Sequence, residues 1–217
     1  MKPDSLVILG SGGHAKVVIE LIRAEDKYQI KGCTALTERG FVLGDVRILG
    51  DDTVLTSLRS EGVSRAFVAI GDNRLRMQLI DQLSQMGFEI VNAVSPHSVV
   101  SRSTTLGCGI AIMAGAVINS CAKVEDGAII NTGASVDHDC RIGRGAHVGP
   151  GSTLAGNVEL AEEVFVGAGT TIIPRIRIGR RAIIGAGSVV IRDLPDEVTV
   201  AGVPARLIQN KGKISQS

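Results

Sequence analysis

The chain is nearly devoid of aromatic residues, which make up 2% of its 217 positions, with no tryptophan and one tyrosine. A core built around large rings is thereby excluded, and the 44% hydrophobic content has to come from small aliphatic side chains. A charge bias is missing as well, because 23 basic and 22 acidic residues leave a net charge of +1. That balance argues against nucleic acid or an anionic membrane as partner and in favour of a small molecule. The four cysteines, Cys33, Cys108, Cys121 and Cys140, have no CxxC or other metal-type spacing, so no metal is expected. No apolar run reaches the roughly 18 residues of a membrane span, and the N-terminus lacks the order of a signal peptide, so the chain reads as cytoplasmic. Glycine, in contrast, is plentiful, with 27 residues.

What the sequence does contain is a period of six. From Val94 to Val190 every sixth residue is Val, Ile or Leu, in 17 of 17 hexads. Since roughly three residues in ten are of these types, chance agreement is on the order of one in a billion. No helix has this period. The fifth position of each hexad is mostly small, and glycine gathers at the second and fourth positions, so each hexad reads as a short strand followed by a tight corner. First and fifth positions would point inward, and stacked coils would bury one continuous column.

Residues 5–93 have another texture. Leu6–Leu9 reads as a buried strand, followed by Gly10-Ser11-Gly12-Gly13-His14 opening an amphipathic helix that runs to about Ala24. Strands are expected at Ile30–Thr34 and Arg65–Ile70 and a helix at Asn73–Met86, which makes a small α/β domain with a parallel sheet. Backbone N–H groups of the glycine turn, at a helix N-terminus, suit a phosphate or pyrophosphate. Residues Cys33 to Leu36 offer no carboxylate for a ribose hydroxyl, which argues against a dinucleotide redox cofactor.

The strand, GSGGHAKV, a later Ile70-Gly71-Asp72-Asn73 before a helix, and then hexapeptide coils resemble the bacterial nucleotide-sugar N-acetyltransferases and their sialic acid O-acetyltransferase relatives. The resemblance covers nearly the whole chain. It implies a Rossmann-like N-terminal domain (1–93) that holds a nucleotide-linked amino sugar and a C-terminal left-handed parallel β-helix (94–217) that holds acetyl-CoA, assembled as a homotrimer with each site between neighbouring subunits. Ser11, Gly12, Gly13 and His14 would line the phosphate and sugar side, with Gly71 and Asn73 nearby and Asn131 near the acceptor sugar. His147 would reach acetyl-CoA, and the backbone of Gly156, Ala168 and Ala186 would meet its pantetheine arm. The resemblance also gives Pro204 and Arg206 a place in the closing turn beside the adenine.

The base is expected to be His138, at the third hexad position, which projects outward from a corner. Acyl transfer to an amine needs a group to take the proton shed by nitrogen, and an imidazole with an ordinary pKa near 6.5 can do so at neutral pH. Asp137 and Asp139 flank it, and one carboxylate could fix its tautomer; the resemblance assigns that part to Asp139. At 18 residues per coil, Gly156 lies directly above His138 and Ser120 directly below, and the glycine is expected to leave space for the thioester. Arg175, Arg177, Arg180 and Arg181 crowd the upper coils and could meet CoA phosphates. The last seven residues are polar and read as loose. The leading reading is N-acetylation at C4 of a dideoxy sugar. Its rivals are O-acetylation of a sialic acid, a zinc enzyme of the carbonic anhydrase type, for which two histidines nine residues apart fall short of three ligands, and a non-catalytic nucleotide-sugar-binding scaffold.

Overall fold

The computed structural model describes residues 4–36 and 40–210, the side chains of 209 and 210 excepted; the polar C-terminal heptapeptide lies outside these residues. The chain divides into two compact units, residues 1–96 and 97–217. The boundary falls three residues later than the expected 93/94. Its cause is local: the strand Ala93–Val94 packs on the first helix, and the Val94 N–H donates to Glu25 Oε2 at 3.2 Å.

In the first unit, β1 (Asp4–Leu9) carries Leu6, Val7 and Ile8 at 0% exposure, the continuous apolar run demanded of a strand covered on both faces. It is flanked in parallel by β2 (Tyr28–Thr34) on one side and β5 (Arg65–Val68) on the other. The full sheet order is β3-β4-β2-β1-β5-β6, with β3 (Phe41–Val42), β4 (Val46–Gly50) and β6 (Glu89–Ile90). The sequence reading passed over β3, β4 and the short helix α2 (Leu55–Ser60), and β3 pairs antiparallel with β4 in an otherwise parallel sheet. Helix α1 (Gly13–Glu25) follows β1, and α3 (Asn73–Gln85) follows β5. Because the chain leaves β1 in one direction and returns to its other side, the carboxyl ends of β1 and β5 border a topological switch point, where such sheets bind ligands. The turns there touch: a Cβ on Gly10 would lie 2.8 Å from the Ala69 carbonyl oxygen.

The second unit is the expected left-handed parallel β-helix. Two-residue strands stack 18 residues apart into three faces. Face 1 has strands beginning at Ala111, Ile129, His147, Phe165 and Ile183; face 2 at Val99, Val117, Ser135, Thr153, Thr171 and Val189; face 3 at Thr105, Lys123, Arg141, Glu159 and Arg177. Hexad first positions such as Val136, Ile142 and Val148, and fifth positions such as Ala134, Cys140 and Ala146, are at 0–1% exposure. Large and small side chains thus alternate into one column. Face 3 presents Lys123, Arg141, Glu159 and Arg177 to solvent, whereas faces 1 and 2 present mainly Ala, Ile, Val, Ser and Thr, with Phe165 38% exposed. After the last hexad, Val198–Ala201 extends face 1 and pairs antiparallel with Arg206–Asn210, the turn between them carrying Pro204.

Candidate active site

His138 sits where the chain turns from face 2 (Ser135–Val136) to face 3 (Arg141–Ile142). Its Nδ1 is 2.8 Å from Asp139 Oδ2. An ionised carboxylate only accepts, so Nδ1 carries the proton and the Nε2 lone pair is available as a proton acceptor. The hydrogen bond to Asp139, followed by the field of Asp137, raises the His138 pKa above its ordinary 6.5. The two carboxylates have separate tasks. Asp137 Oδ1 accepts from the His138 backbone N–H at 2.8 Å and from Asn119 Nδ2 at 3.0 Å, which pins the corner and lowers its pKa.

Asp139 reaches the ring from a left-handed conformation, φ +59°. That conformation costs a non-glycine residue roughly 1 kcal/mol. The stacking is as numbered: Asp139 N–H donates to Ser120 O, and Asn157 N–H to His138 O. The space above the base differs from expectation. A Cβ on Gly156 would lie 2.5 Å from His138 Nε2 and 2.6 Å from Cε1, so the imidazole itself fills the room the glycine leaves. Spacing gave the stack but not the rotamer.

Asn131 and His147, assigned to different ligands by the resemblance, are joined: Asn131 Nδ2 stands 3.0 Å from His147 Nε2. Asn131 Oδ1 accepts from Thr132 N–H at 2.8 Å, which orients the amide toward the ring. Phe165, one coil above His147, packs edge-on at 5.2 Å. Ala168 and Ala186 are exposed on the corner between faces 1 and 2, the corner that also carries Asn131, whereas Gly156 stands on the corner of His138. In a triangular coil the corner between faces 2 and 3 is opposite face 1. The base and Asn131 therefore stand at the two different corners that bound face 2, with His147 on face 1.

Of the four upper arginines, Arg177 pairs with Glu159, Arg180 with Asp196 and Arg181 with Glu197. Only Arg175 of that group has no partner for its guanidinium among the described residues. A groove of about 740 Å³ runs along face 3, but Arg141–Glu125, Arg177–Glu159 and Arg180–Asp196 already pair their charges there. Of the residues singled out from the sequence it holds only Arg177 and Arg180, and not His138 or any of the expected sugar-binding residues. His97, which the reading of the repeat passed over, opens the second unit. Among the described residues no group of three or more His, Cys, Asp or Glu side chains could hold a metal ion.

In the first unit Ser11, Gly12, Gly13 and His14 form the turn into α1, and nothing lies within 4 Å of a Cβ placed on Gly12, Gly13 or Gly71. Helix α1 has no side-chain N-cap, so its first N–H groups remain for an anion. His14 has its pKa lowered to about 4, first by burial and second by the Arg76 cation, so its ring is neutral. Arg76, at 1% exposure, escaped the sequence reading. Its Nη1 donates to the carbonyls of Ile70 (3.0 Å) and Gly71 (3.1 Å), and its Nη2 to Asn73 Oδ1 (2.9 Å), which holds the second turn of the crevice. The signal was available: α3 buries positions 76, 77, 80 and 83, so Arg76 falls on its apolar face. Asp52 was missed too. It comes from the segment after β4 and accepts from Thr34 Oγ1 at 2.6 Å, placing at the end of β2 the carboxylate that β2 itself lacks.

Comparison with known proteins defines first the class and then the family. Residues 122–156 and 157–192 match the bacterial transferase hexapeptide repeats, and residues 5–83 match the PglD N-terminal domain. The structure superposes with TM-score 0.91 on PerB from Caulobacter crescentus, solved with CoA and GDP-perosamine; the two are 51% identical over 94% of this chain and 97% of that one. It matches the acetyltransferase domain of PglB from Neisseria gonorrhoeae, solved with acetyl coenzyme A, with TM-score 0.91 and 36% identity over 95% and 100% of the chains. UDP-N-acetylbacillosamine N-acetyltransferase of Bacillus subtilis (strain 168) is 39% identical over 111 residues, a match spanning about half of each chain, 51%. The chain belongs to the family of hexapeptide-repeat, acetyl-CoA-dependent nucleotide-sugar N-acetyltransferases.

Proposed function

We propose that the protein transfers an acetyl group from acetyl-CoA to the 4-amino group of a nucleotide-linked 4-amino-4,6-dideoxy sugar, with His138 as general base. The observation that carries this is the His138–Asp139 pair, whose Nε2 remains basic at a solvent-exposed corner. The sugar amine attacks the thioester carbon while Nε2 takes its proton; the tetrahedral intermediate then expels the CoA sulfur, which recovers that proton from the imidazolium as the thiol. Asp139 holds the tautomer and stabilises the imidazolium that forms between the two steps. The first unit holds the nucleotide diphosphate through the N–H groups of the turn at Ser11 to His14, with Gly71 and Asn73 on the facing turn. GDP-perosamine, bound by the PerB relative, is the favoured substrate type.

The site is completed by another copy of the chain. Because Asn131, His147, Ala168 and Ala186 stand at or beside a different corner from His138, the base of one subunit works against the corner between faces 1 and 2 of its neighbour, and cyclic closure of that contact gives a homotrimer. The uncharged outer sides of faces 1 and 2, with Phe165 and Val99 exposed, against the charged face 3, support this reading. The four free thiols suit a reducing, cytoplasmic location.

The test is release of CoA thiol with GDP-, UDP- and dTDP-linked 4-amino sugars and with hydroxy-sugar acceptors. Transfer confined to a hydroxyl would favour the O-acetylation rival and sink this reading. His138→Ala is expected to lower kcat by roughly 10²- to 10⁴-fold with little change in either KM.

A further inference from the structure

In the column of inward-facing fifth positions behind the corner between faces 1 and 2, Ala116 and Ala134 fill the lower coils, whereas Ser152, Thr170 and Ser188 continue the column upward, all at 0% exposure. Alanine and hydroxyl residues stand in the same ladder of coil-to-coil hydrogen bonds, with Val117 N–H donating to Ala134 O and Thr153 N–H to Thr170 O. Coil stacking therefore does not call for a hydroxyl, and burying one is unfavourable unless it is bonded. Ser152 Oγ donates to Gly167 O at 2.9 Å, Thr170 Oγ1 to Gly185 O at 3.2 Å, and Ser188 Oγ to that same carbonyl at 2.6 Å. The buried Cys140 makes the equivalent bond at the corner of His138, Sγ to Ala155 O at 3.2 Å. Thr104 repeats the contact with Asn119 O at 3.3 Å in the lowest coil, where it is only half-buried.

The carbonyls held by the buried donors belong to the peptide groups that precede Gly156, Ala168 and Ala186. A trans peptide points its C=O and its N–H in opposite directions. With the oxygen fixed from inside the column, the N–H of each of these residues is turned outward, and none of the three N–H groups has a partner among the described residues. Several other corner N–H groups at the same hexad position are capped by a carboxylate: Cys108 by Asp126, His138 by Asp137, Arg144 by Glu125 and Arg180 by Asp196. A carbonyl that accepts a hydrogen bond also makes the N–H of its own peptide a stronger donor.

We propose that Ser152 and Thr170 are positioning residues for the acyl donor: from inside the β-helix they hold the Gly167 and Gly185 carbonyls, which aims the N–H groups of Ala168 and Ala186 at the amide carbonyls of the pantetheine arm. Cys140 holds the Gly156 N–H in the same way, over the base. Being buried in the column, none of the three side chains can touch acetyl-CoA itself. The inference rests on the acetyl-CoA reading above and adds the residues that stand behind its contacts. Ala168 and Ala186 share one column, so their N–H groups are about 4.8 Å apart, two donors fixed in advance for a flexible arm that loses freedom on binding.

The test is calorimetric titration of Ser152→Ala and Thr170→Val with CoA and, separately, with adenosine 3′,5′-bisphosphate, which lacks the arm. Valine keeps the outline of threonine without its hydroxyl, and alanine already fills the Ser152 column at Ala116 and Ala134, so both variants should fold. Each is expected to bind CoA about fivefold more weakly, the equivalent of one neutral hydrogen bond, with binding of the bisphosphate and KM for the nucleotide sugar unchanged. Thr170→Ser retains the donor and should bind CoA as the natural protein does. Unchanged CoA affinity in both variants, an equal loss for CoA and the bisphosphate, or a loss in Thr170→Ser as large as in Thr170→Val would overturn the inference. Failure of the acetyl-CoA reading is distinct, because the natural protein would then bind no CoA.

Discussion

The two units use glycine and histidine for opposite purposes. In the β-helix, glycine at the second hexad position is imposed by the backbone of the next coil: a Cβ on Gly167 would come within 2.5 Å of Ala186 N and 2.7 Å of Ile184 O. In the first unit, Gly12, Gly13 and Gly71 face open space, so no packing constraint explains them. The histidines diverge as well. His138 is an exposed ring made more basic by Asp139, whereas His14 is a largely buried ring held neutral, with its pKa down to about 4. At these positions one unit uses glycine for closeness of chain to chain and the other for access to the backbone, while the histidines differ because Asp139 raises the pKa of one ring and burial lowers that of the other.

The comparison breaks first at Gly167→Ala. Neither clashing atom belongs to a side chain that could swing away, so coils must separate, and we expect a loss of about 3 kcal/mol or more in urea unfolding. A loss below about 0.5 kcal/mol would mean that glycine does not set the coil spacing.

Asp139→Asn addresses the histidines. The carboxylate is the largest cause of the raised His138 pKa. A raised pKa keeps more of the imidazole protonated, and so unable to accept, as pH falls toward neutrality. The acid limb of kcat should therefore lie above the ordinary 6.5 in the natural protein and move to lower pH in the variant. At its plateau the variant should be slower by about tenfold or more, because an amide no longer selects the Nδ1–H tautomer. An unshifted limb would show that some other group sets it.

The units also differ in how far their sequences could be read. An unbroken period of six leaves one solution for Val94 to Val190, and the coil register, the buried first and fifth positions and the neighbours of His138 all follow from counting. The first unit gave up β1, α1, β2, β5 and α3, whose apolar runs are long, but not β3, β4 or α2, which span two to six residues and carry little periodicity. Asp52 was missed because it acts on a strand end contributed by another part of the unit, whereas Arg76 acts on the turn just before its own helix and its place on the apolar face of α3 was the signal passed over. The hydrogen bond between Asn131 and His147 could have been foreseen, since Ile129 is directly below His147 and Asn131 follows it around the same corner. What concealed it was assignment by role instead of by column.

The smallest effect on stability, and the sharpest on function, is expected at Gly13→Ala. Gly13 opens α1, where alanine is preferred to glycine by up to about 1 kcal/mol, and its Cβ would meet nothing within 4 Å. Unfolding free energy should stay constant or rise by about 0.5 kcal/mol. A methyl group standing over the first N–H groups of the helix would nevertheless push a diphosphate away from its donors, and KM for the nucleotide sugar should rise about tenfold with KM for acetyl-CoA unmoved. Gly167→Ala should show the reverse, damaging the fold before the sugar site. If Gly13→Ala left both stability and the sugar KM untouched, the open space at that turn would have no ligand to explain it, and the diphosphate would have to be sought along the facing turn that Arg76 holds.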